Sequence, residues 1–294
     1  MQIKDILNFL DRSNIQYSFS GNREETIDGF SSLGRYKENT FTWIKKQENI
    51  PENFDVSVLK LVFATDGVSG DFRNVISCKE SKYAFFSTIE HFYEKNTNKP
   101  AIGNFTYIGP NVKLGKNVII GHNCTLDGEI SIGDGTVLWN NITIVNKVVI
   151  GKNCEIQSGT VIGHDGFGYT EEDNIKTMVK HFGGVEIGDD VRLGMNNVIA
   201  RGTIDDTIIG SGTKMSDLCH IGHNNVIEKN CTIINSAFYG SCHTEENSYI
   251  SYSVIKNQTH LGKNCLVGMA SNVLKDVPEG AVVVGNPAKV LRMK

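Results

Sequence analysis

The chain has 294 residues, which is long enough for two domains with a sizeable core. Its 30 glycines and 5 prolines suit turn-rich β-structure, and its net charge of −4 excludes the strongly basic surface of a nucleic-acid-binding protein. Residues 1–16 lack the unbroken apolar run of a signal peptide or membrane span, so we expect a cytoplasmic protein without a transmembrane segment.

Residues 1–98 predict a small α/β domain. The chain begins with an amphipathic helix, because its apolar residues recur at the spacing of one helical face. Residues 81–96 have the pattern of a second helix, and 97–101 (TNKPA) are interpreted as a linker. The β-rich runs between the helices span 15–18, 40–44 and 56–64, and the apolar face of the first helix consists of Ile3, Ile6, Leu7 and Leu10.

From Ile102 to Ile162, every sixth residue is Ile or Leu, without exception. A period of six is neither helical nor the alternation of a strand, and so short a unit buries its apolar face only by stacking. The pattern predicts a mainly β fold, a left-handed parallel β-helix in which three hexapeptides form one triangular coil with the aliphatic residues inside. Gly often follows the aliphatic residue, which indicates a backbone conformation that a Cβ would disfavour. The repeated positions are Ile102, Ile108, Leu114, Ile120, Leu126, Ile132, Leu138, Ile144, Ile150, Ile156 and Ile162.

The six-residue period breaks after Ile162. Residues 164–185 form an insertion; the period then resumes at Ile187 and reaches an inward slot at Asp205, where the phase jumps by four residues. The new frame runs to Tyr239, after which a second four-residue shift restores the period at Ile255. Insertions in a solenoid become surface loops, and loops often carry function.

The repeat also sets the remaining domain boundaries. The β-helix is predicted to span 99–280. Residues 281–294 form a short extended tail, which we expect to cover the open end of the solenoid, because exposed coil edges invite strand pairing.

The seven cysteines indicate a reducing compartment. Four of them occupy the small inward slot of a hexapeptide, and the chain has no CxxC pair. Small buried thiols explain this spacing better than metal ligands or disulfides do, so no metal is assigned. The four are Cys124, Cys154, Cys231 and Cys265.

Few residues carry recognisable chemistry, since the chain lacks a Walker loop, a dinucleotide fingerprint, an HExxH motif and a GxSxG elbow. In the insertion, the DGFGY run makes Asp165, Phe167 and Tyr169 candidate substrate-binding residues. His223, in HIGHNN, is an ordinary surface residue on a single solenoid, but it becomes a candidate base where the faces of a homotrimer pack together. The loop histidines interpreted as solvated are His122, His164, His181 and His243.

Residues 102–290 resemble the hexapeptide acyltransferases, and more narrowly the UDP-3-O-acylglucosamine N-acyltransferases of lipid A synthesis. Residues 28–44 (DGFSSLGRYKENTFTWI) resemble the nucleotide-binding domain of that family. The segments that carry the main resemblance are LWNNITI (138–144), IGKNCEIQSGTVIGHDGFGY (150–169), VEIGDDVRLG (185–194), RGTIDDTIIGSGTK (201–214) and HIGHN (220–224).

The resemblance implies acyl transfer from a thioester to a sugar amine, without a covalent enzyme intermediate. His223 matches the catalytic histidine of the family, which acts as general base. The matching oxyanion donor is the backbone N–H of Ser241, beside Gly240. His260 matches a second histidine near the pantetheine of the carrier or the sugar, and Phe41 matches an aromatic residue that stacks on uracil.

Three features depart from the family pattern. Gln47 replaces a Tyr that completes the stacking on the base. Met215–Ser216–Asp217 stand where the family has Ile-Asp-Asn, and Asp217 is a candidate for orienting a histidine instead. Residues 285–292 (GNPAKVLR) resemble the tail of acetyl-CoA-dependent sugar acetyltransferases.

The leading hypothesis is a homotrimeric N-acyltransferase that acts on a nucleotide-activated amino sugar, for lipid A or surface polysaccharide synthesis. No tightly bound cofactor is expected; the donor is an acyl thioester, on acyl carrier protein by the overall resemblance or on coenzyme A by the tail. One alternative is an acetyl-CoA-dependent sugar acetyltransferase, and another is a non-catalytic β-solenoid scaffold. The sequence leaves the sugar, the nucleotide base and the acyl chain length open.

Overall fold

The computed structural model describes residues 1–94 and 101–294. The chain divides into two compact units, Met1–Thr97 and Asn98–Lys294. Of the predicted linker at 97–101, only Ala101 lies within the described residues.

The first unit begins with helix α1 (Ile3–Arg12), whose predicted apolar face is buried. The Gln2 N–H donates to Asp5 Oδ2 at 2.8 Å, so an acidic side chain stabilises the start of this helix. Its other elements are β1 (Ser18–Ser20), β2 (Gly29–Phe30), β3 (Thr40–Ile44), β4 (Leu61–Ala64), β5 (Val75–Ser77) and α2 (Ser81–Tyr93), with 3-10 turns at Leu33–Arg35, Gln47–Asn49 and Val56–Val58.

These strands form one sheet in the order β1-β5-β4-β3-β2, in which β1 is antiparallel to β5 and the other pairs are parallel. The predicted strand at 56–64 is partly wrong, because only its second half, β4, is extended. The Asp55 side chain accepts a hydrogen bond from the Ser57 N–H at 2.9 Å, and this local bond turns the first half into a 3-10 turn.

The second unit is a mainly β, left-handed parallel β-helix, as predicted. In its regular coils Ile144 pairs with Ile162, eighteen residues along the chain, so three hexapeptides complete one coil. From Ile120 to Ile162 the inward aliphatic residues are at most 2% exposed. Ile102 and Leu114 are 46% and 39% exposed, because they belong to the first coil, which has a neighbouring coil on one side only.

The solenoid strands are short, and most pair in parallel with the equivalent strand of the next coil. Their bounds are β6 (Tyr107–Ile108), β7 (Val112–Leu114), β8 (Ile119–Ile120), β9 (Thr125–Ile132), β10 (Val137–Leu138), β11 (Thr143–Ile150), β12 (Glu155–Ile156), β13 (Val161–His164), β14 (Tyr169–Glu172), β15 (Ile175–Met178), β16 (Val185–Ile187), β17 (Arg192–Leu193), β18 (Val198–Ala200), β19 (Thr207–Ile209), β20 (Lys214–Met215), β21 (His220–Ile221), β22 (Val226–Ile227), β23 (Thr232–Ile234), β24 (Ala237–Phe238), β25 (His243–Thr244), β26 (Tyr249–Ser251), β27 (Val254–Ile255), β28 (His260–Leu261), β29 (Leu266–Val267), β30 (Asn272–Val273), β31 (Ala281–Val284) and β32 (Lys289–Met293).

Except at Gly163, whose φ is 89°, glycine follows the inward aliphatic residues of 102–162 for a different reason from the one predicted. Gly121 does not have a positive φ; a Cβ there would lie 2.6 Å from the backbone carbon of Trp139 in the next coil. The glycine therefore permits close approach between coils. The positive-φ corners are occupied mainly by asparagine, as at Asn123 and Asn141.

The phase shifts differ from the predicted ones. Asp205 is exposed and lies in a loop between β18 and β19, so it does not occupy an inward slot. Tyr239 is 53% exposed, whereas Phe238 is fully buried and pairs with Ile221, only seventeen residues earlier. The second phase shift thus comes from two hexapeptides that each lack one residue. The first of them ends at Phe238 and the second ends at Ile255.

The insertion and the tail both form antiparallel pairs. Strands β14 and β15 make an exposed hairpin, whose turn contains Asp173 and Asn174 at positive φ. At the other end, β31 joins the solenoid sheet in parallel with β29, and β32 folds back on it antiparallel. The residues predicted to begin the tail, Ala281–Val284, are therefore part of the β-helix.

Candidate active site

A cavity of about 640 Å³ lies beside His223 in the second unit. The DGFGY run and Met178 of the insertion line one part of it. His223 and Tyr239–Ser241, from two successive coils, line another. The insertion and the shortened coil therefore meet at the predicted base, and His223 is half-buried rather than exposed to open solvent.

The hydrogen bonds of Asn224 define the tautomer of His223. Asn224 Oδ1 accepts the Thr203 N–H at 3.0 Å, which identifies this atom as the amide oxygen. Because His223 Nδ1 lies 3.0 Å from the same oxygen, Nδ1 carries the proton. In the neutral ring Nε2 then presents its lone pair, the form that a general base requires.

Gly240 stacks on His223 because the coil between them has seventeen residues. A Cβ on Gly240 would lie 2.7 Å from His223 Nε2, so glycine leaves room for a reacting group there. The Ser241 N–H donates to the His223 carbonyl at 2.8 Å, so the prediction that this N–H is the oxyanion donor is wrong. Within residues 1–94 and 101–294 the Gly240 N–H has no hydrogen-bond partner, and it is the better candidate.

The buried side chain of Arg201 binds both ends of the insertion. Its Nε lies 2.7 Å from Asp165 Oδ1, and its guanidinium also donates to the carbonyl of His181. Asp165 lines the cavity with one carboxylate oxygen committed to Arg201, and its contact with substrate stays a prediction. Arg201 begins one of the segments that carry the resemblance, but its role was not predicted, because its partners are 36 and 20 residues away.

Phe167, Tyr169 and Met178 of the insertion form an apolar surface at the edge of the cavity, here called the apolar lip. Phe167 is 86% exposed and its ring lies 4.9 Å from that of Tyr169, measured between centroids. Met178, on the facing strand of the hairpin, lines the same cavity. Phe167 and Tyr169 remain candidate substrate-binding residues.

Two more histidines shape the site. His164 lines the cavity, and His181 is fully buried with its ring 5.3 Å from that of His223, so the prediction that both are solvated is wrong. His220 also lines the cavity; partial burial, and then the nearby His164, lower the pKa of His220. In the sequence, His220 was marked only by its place in the HIGHNN motif beside His223.

Phe41 is a core residue of the first unit. Its side chain is fully buried, with the rings of Phe63 and Phe85 at 5.6 and 5.4 Å between centroids. No face of this ring is open to a nucleobase, so the prediction that Phe41 stacks on one is wrong. Gln47 instead braces a loop, because its side chain exchanges two hydrogen bonds with the backbone of Ser69.

Asp217 has a structural role in place of the predicted orientation of a histidine. Its Oδ1 accepts the Met195 N–H from the preceding coil at 2.6 Å. Asp134 and Asp189 accept backbone N–H groups in the same way at other turns. The residue that orients His223 is Asn224, its neighbour in the sequence.

His260 does not join the cavity of its own chain. Its Nε2 lies 2.9 Å from Glu245 Oε1, and its ring packs 4.9 Å from that of His243, whose Nε2 lies 3.0 Å from Glu228 Oε1. The Lys263 N–H and then His260 lower the pKa of Glu245. Strands β28 and β21 lie on opposite arms of the long parallel sheet, so this chain keeps His260 apart from His223.

The described residues contain no cluster of three or more His, Cys, Asp or Glu side chains arranged to hold a metal. All seven cysteines are buried, and burial raises the pKa of the Cys231 thiol to about 11, which keeps it protonated. In the same part of the chain no helix has the length and apolar character needed to cross a membrane.

Comparisons with known proteins agree with this fold. The family profile described as Bacterial transferase hexapeptide (six repeats) matches residues 98–128 and 129–164. LpxA from Acinetobacter baumannii aligns over 66% of this chain and 74% of its own, with 25% identity and a TM-score of 0.61. A UDP-N-acetylglucosamine acyltransferase from Francisella novicida covers 65% of this chain and 69% of its own, with 26% identity and a TM-score of 0.60. These similarities define a hexapeptide-repeat transferase.

A narrower assignment comes from sequence relatives. The UDP-3-O-acylglucosamine N-acyltransferase of Fusobacterium nucleatum is 36% identical over 251 residues, which cover 79% of this chain and 73% of that protein. The chain belongs to the UDP-3-O-acylglucosamine N-acyltransferase family. UDP-3-O-acylglucosamine N-acyltransferase 2 of Rhodopseudomonas palustris (strain BisB18) is 40% identical over 46% of this chain. The chain spans only 36% of that relative and 39% of the Methylobacterium nodulans one.

Proposed function

We propose that the protein transfers an acyl group from a thioester to the amine of a nucleotide-activated amino sugar, in lipid A or surface polysaccharide synthesis. The observation that carries the proposal is the pairing of a basic Nε2 on His223 with the N–H of Gly240, which has no partner among the described residues, at the same cavity. A base and an oxyanion donor at one site are what acyl transfer requires.

His223 begins the reaction. Its Nε2 takes a proton from the attacking amine as the nitrogen forms a bond to the thioester carbonyl carbon. Asn224 Oδ1 accepts from Nδ1–H throughout, so the ring keeps its orientation as it becomes an imidazolium. General-base assistance of this kind contributes about 10²–10⁴ in rate.

Gly240 stabilises the tetrahedral intermediate. As the carbonyl oxygen becomes an oxyanion it accepts a hydrogen bond from the Gly240 N–H, which needs no other bond to be broken first. One such donor contributes roughly 10²–10³ in rate. The intermediate then collapses: the carbon–sulfur bond breaks, the amide forms, and the departing thiolate takes the proton from His223.

The apolar lip favours a donor with a long acyl chain. Phe167, Tyr169 and Met178 are each exposed, and together they place apolar surface at the mouth of the cavity. An acetyl group is too short to bury that surface, whereas the chain of a fatty acyl carrier protein reaches it. We therefore place a long-chain acyl thioester, as on a fatty acyl carrier protein, before acetyl-CoA as the donor.

The nucleotide-binding role of residues 1–98 stays part of the proposal, but it no longer rests on Phe41. We also propose a homotrimer, because His260 faces away from the cavity of its own chain and a neighbouring copy is needed to bring it there. If neighbouring subunits share a site, co-assembly of His223→Ala and His260→Ala chains restores turnover that neither variant has alone. Independent sites predict no restoration.

A thiol-release assay tests the proposal. A nucleotide-linked amino sugar is offered with a fatty acyl carrier protein and, separately, with acetyl-CoA, and the product is identified by mass spectrometry. We expect thiol release with the acyl carrier protein and an amide product. Release only with acetyl-CoA supports the sugar acetyltransferase alternative, an ester product excludes N-acylation, and no release with any amino sugar supports the scaffold.

A further inference from the structure

Among the described residues, no hydrogen-bond partner reaches one buried nitrogen of His181. The ring is fully buried, and its Nδ1 lies 2.9 Å from the carbonyl oxygen of Val179. A carbonyl oxygen only accepts, so Nδ1 carries the proton and Nε2 presents a lone pair. No donor reaches this Nε2 within residues 1–94 and 101–294. A buried acceptor without a donor costs about 1–3 kcal/mol in general, so its location requires an explanation.

The ring of His181 packs against the ring of the predicted base. The rings of His181 and His223 are perpendicular, at 86°, with their centroids 5.3 Å apart. Gly166 lies between them: a Cβ there would be 3.0 Å from both His181 Nε2 and His223 Cδ2. His181 Nε2 and the Cδ2 edge of the His223 ring therefore both lie beside the same point next to Gly166.

We propose that His181 is a positioning residue for the acyl transfer, whose Nε2 lone pair stabilises His223 in its protonated, imidazolium form. The inference rests on the proposed function of His223 as base. The neutral ring offers His181 little, but the imidazolium carries positive charge over its carbon-bound hydrogens, and the lone pair then has a favourable partner. The contact is thus stronger after proton transfer than before it, which is the condition for assisting the chemical step.

His181 is held rigidly enough for this role. Arg201 donates to its carbonyl, and the next two residues, Phe182 and Gly183, donate backbone hydrogen bonds to the loop after β18. The other titratable groups around His223 are His220, on the preceding strand β21, and four side chains on the cavity wall. Those four are His164, Asp165, Tyr169 and Tyr239, and Asp165 is already paired with Arg201.

Three substitutions separate the lone pair from simple packing. His181→Phe keeps a ring but removes the Nε2 lone pair. His181→Asn keeps a donor for the Val179 carbonyl but also removes that lone pair. His181→Gln keeps an acceptor near the position of Nε2. We expect kcat to fall roughly three- to tenfold in the Phe and Asn variants, the size of one hydrogen bond, and to recover in the Gln variant. His122→Phe, an exposed histidine on a distant turn, is the matched control.

Titration of the His223 ring tests the inference without any substrate. Using ¹³C-labelled histidine and NMR, with His223→Asn to assign the signal, we expect the His223 midpoint to move to lower pH in the Phe and Asn variants. It should stay in place in the Gln and His122→Phe variants. An unchanged midpoint in whichever of the Phe and Asn variants remains folded overturns the inference. A shifted midpoint without acyl transfer by the wild-type protein refutes the proposed function alone.

Discussion

Two stretches of the solenoid share one repeat but differ in what their outer surface does. In residues 120–162 the coils have a constant length, and the close approach of glycine to the next coil keeps them tightly stacked. In residues 163–260 an insertion, an added loop and two short turns interrupt that regularity. The inward residues stay buried in both stretches, so the changes in coil length are accommodated in the turns and loops. The irregular turns build the cavity, and the regular coils support it.

The largest expected effect is on chemistry in the irregular stretch. His223→Ala removes the base, and turnover should fall by about 10²–10⁴ while the thermal unfolding temperature stays unchanged. His122→Ala, at an exposed histidine of the regular stretch, should leave turnover unchanged. Normal steady-state turnover in His223→Ala would remove this residue from the mechanism.

The next effect is on stability in the regular stretch. Ile144 is fully buried between coils, so Ile144→Ala should lower the free energy of unfolding by about 2–5 kcal/mol. Val149, in the same strand, is 43% exposed, and Val149→Ala should cost under about 0.5 kcal/mol. Chemical denaturation measures both; equal losses would mean that the inward column does not dominate stability.

A smaller loss of stability is expected where the coils approach closely. Gly121→Ala places a Cβ against the backbone of the next coil and should cost about 1–3 kcal/mol. The comparison is Gly34→Ala in the first unit, where the added Cβ meets no atom within 4 Å and stability should hold. If thermal unfolding is the same for Gly121→Ala and the wild-type protein, close approach does not explain the glycine.

Asn224→Gly tests how the orientation of His223 contributes. Glycine tolerates the positive φ of 57° but removes the oxygen bonded to Nδ1, so kcat should fall by up to about tenfold, the value of one hydrogen bond. Asn141 has an equivalent φ of 58° in the regular stretch, and Asn141→Gly should leave kcat unchanged. Equal kcat values for the two variants would show that Asn224 does not orient the base.

Asp217→Asn should have the smallest effect. The amide oxygen still accepts the Met195 N–H, so both the unfolding free energy and kcat should stay close to wild type, within about 0.5 kcal/mol for stability. A large fall in kcat with unchanged stability would restore Asp217 to the catalytic machinery.

The fold was predictable because its information is local. Each hexapeptide carries its own inward aliphatic residue, and all eleven of these positions from Ile102 to Ile162 are Ile or Leu. The same locality predicted α1 and β3 in the first unit. It failed for residues 56–58, where one side chain, Asp55, diverts the backbone into a turn.

The site was only partly predictable, because it depends on which residues of successive coils stack on one another. His223 was found by its motif, but its partner depended on the length of the following coil: eighteen residues would have brought Ser241 over it, and seventeen bring Gly240. Arg201 and His181 act through contacts distant in sequence. Phe41 was assigned from a motif without knowledge of which face of its strand is buried.

The way Arg201 joins the two ends of the insertion makes the hairpin a replaceable module. Asp165 and the His181 carbonyl meet at one guanidinium, so the chain leaves and re-enters the solenoid at almost one point. Strands β14 and β15 pair only with each other among the described residues, so their side chains can vary without altering the pairing of any coil. A change in the apolar lip then needs no change in the scaffold, only different side chains on the same hairpin.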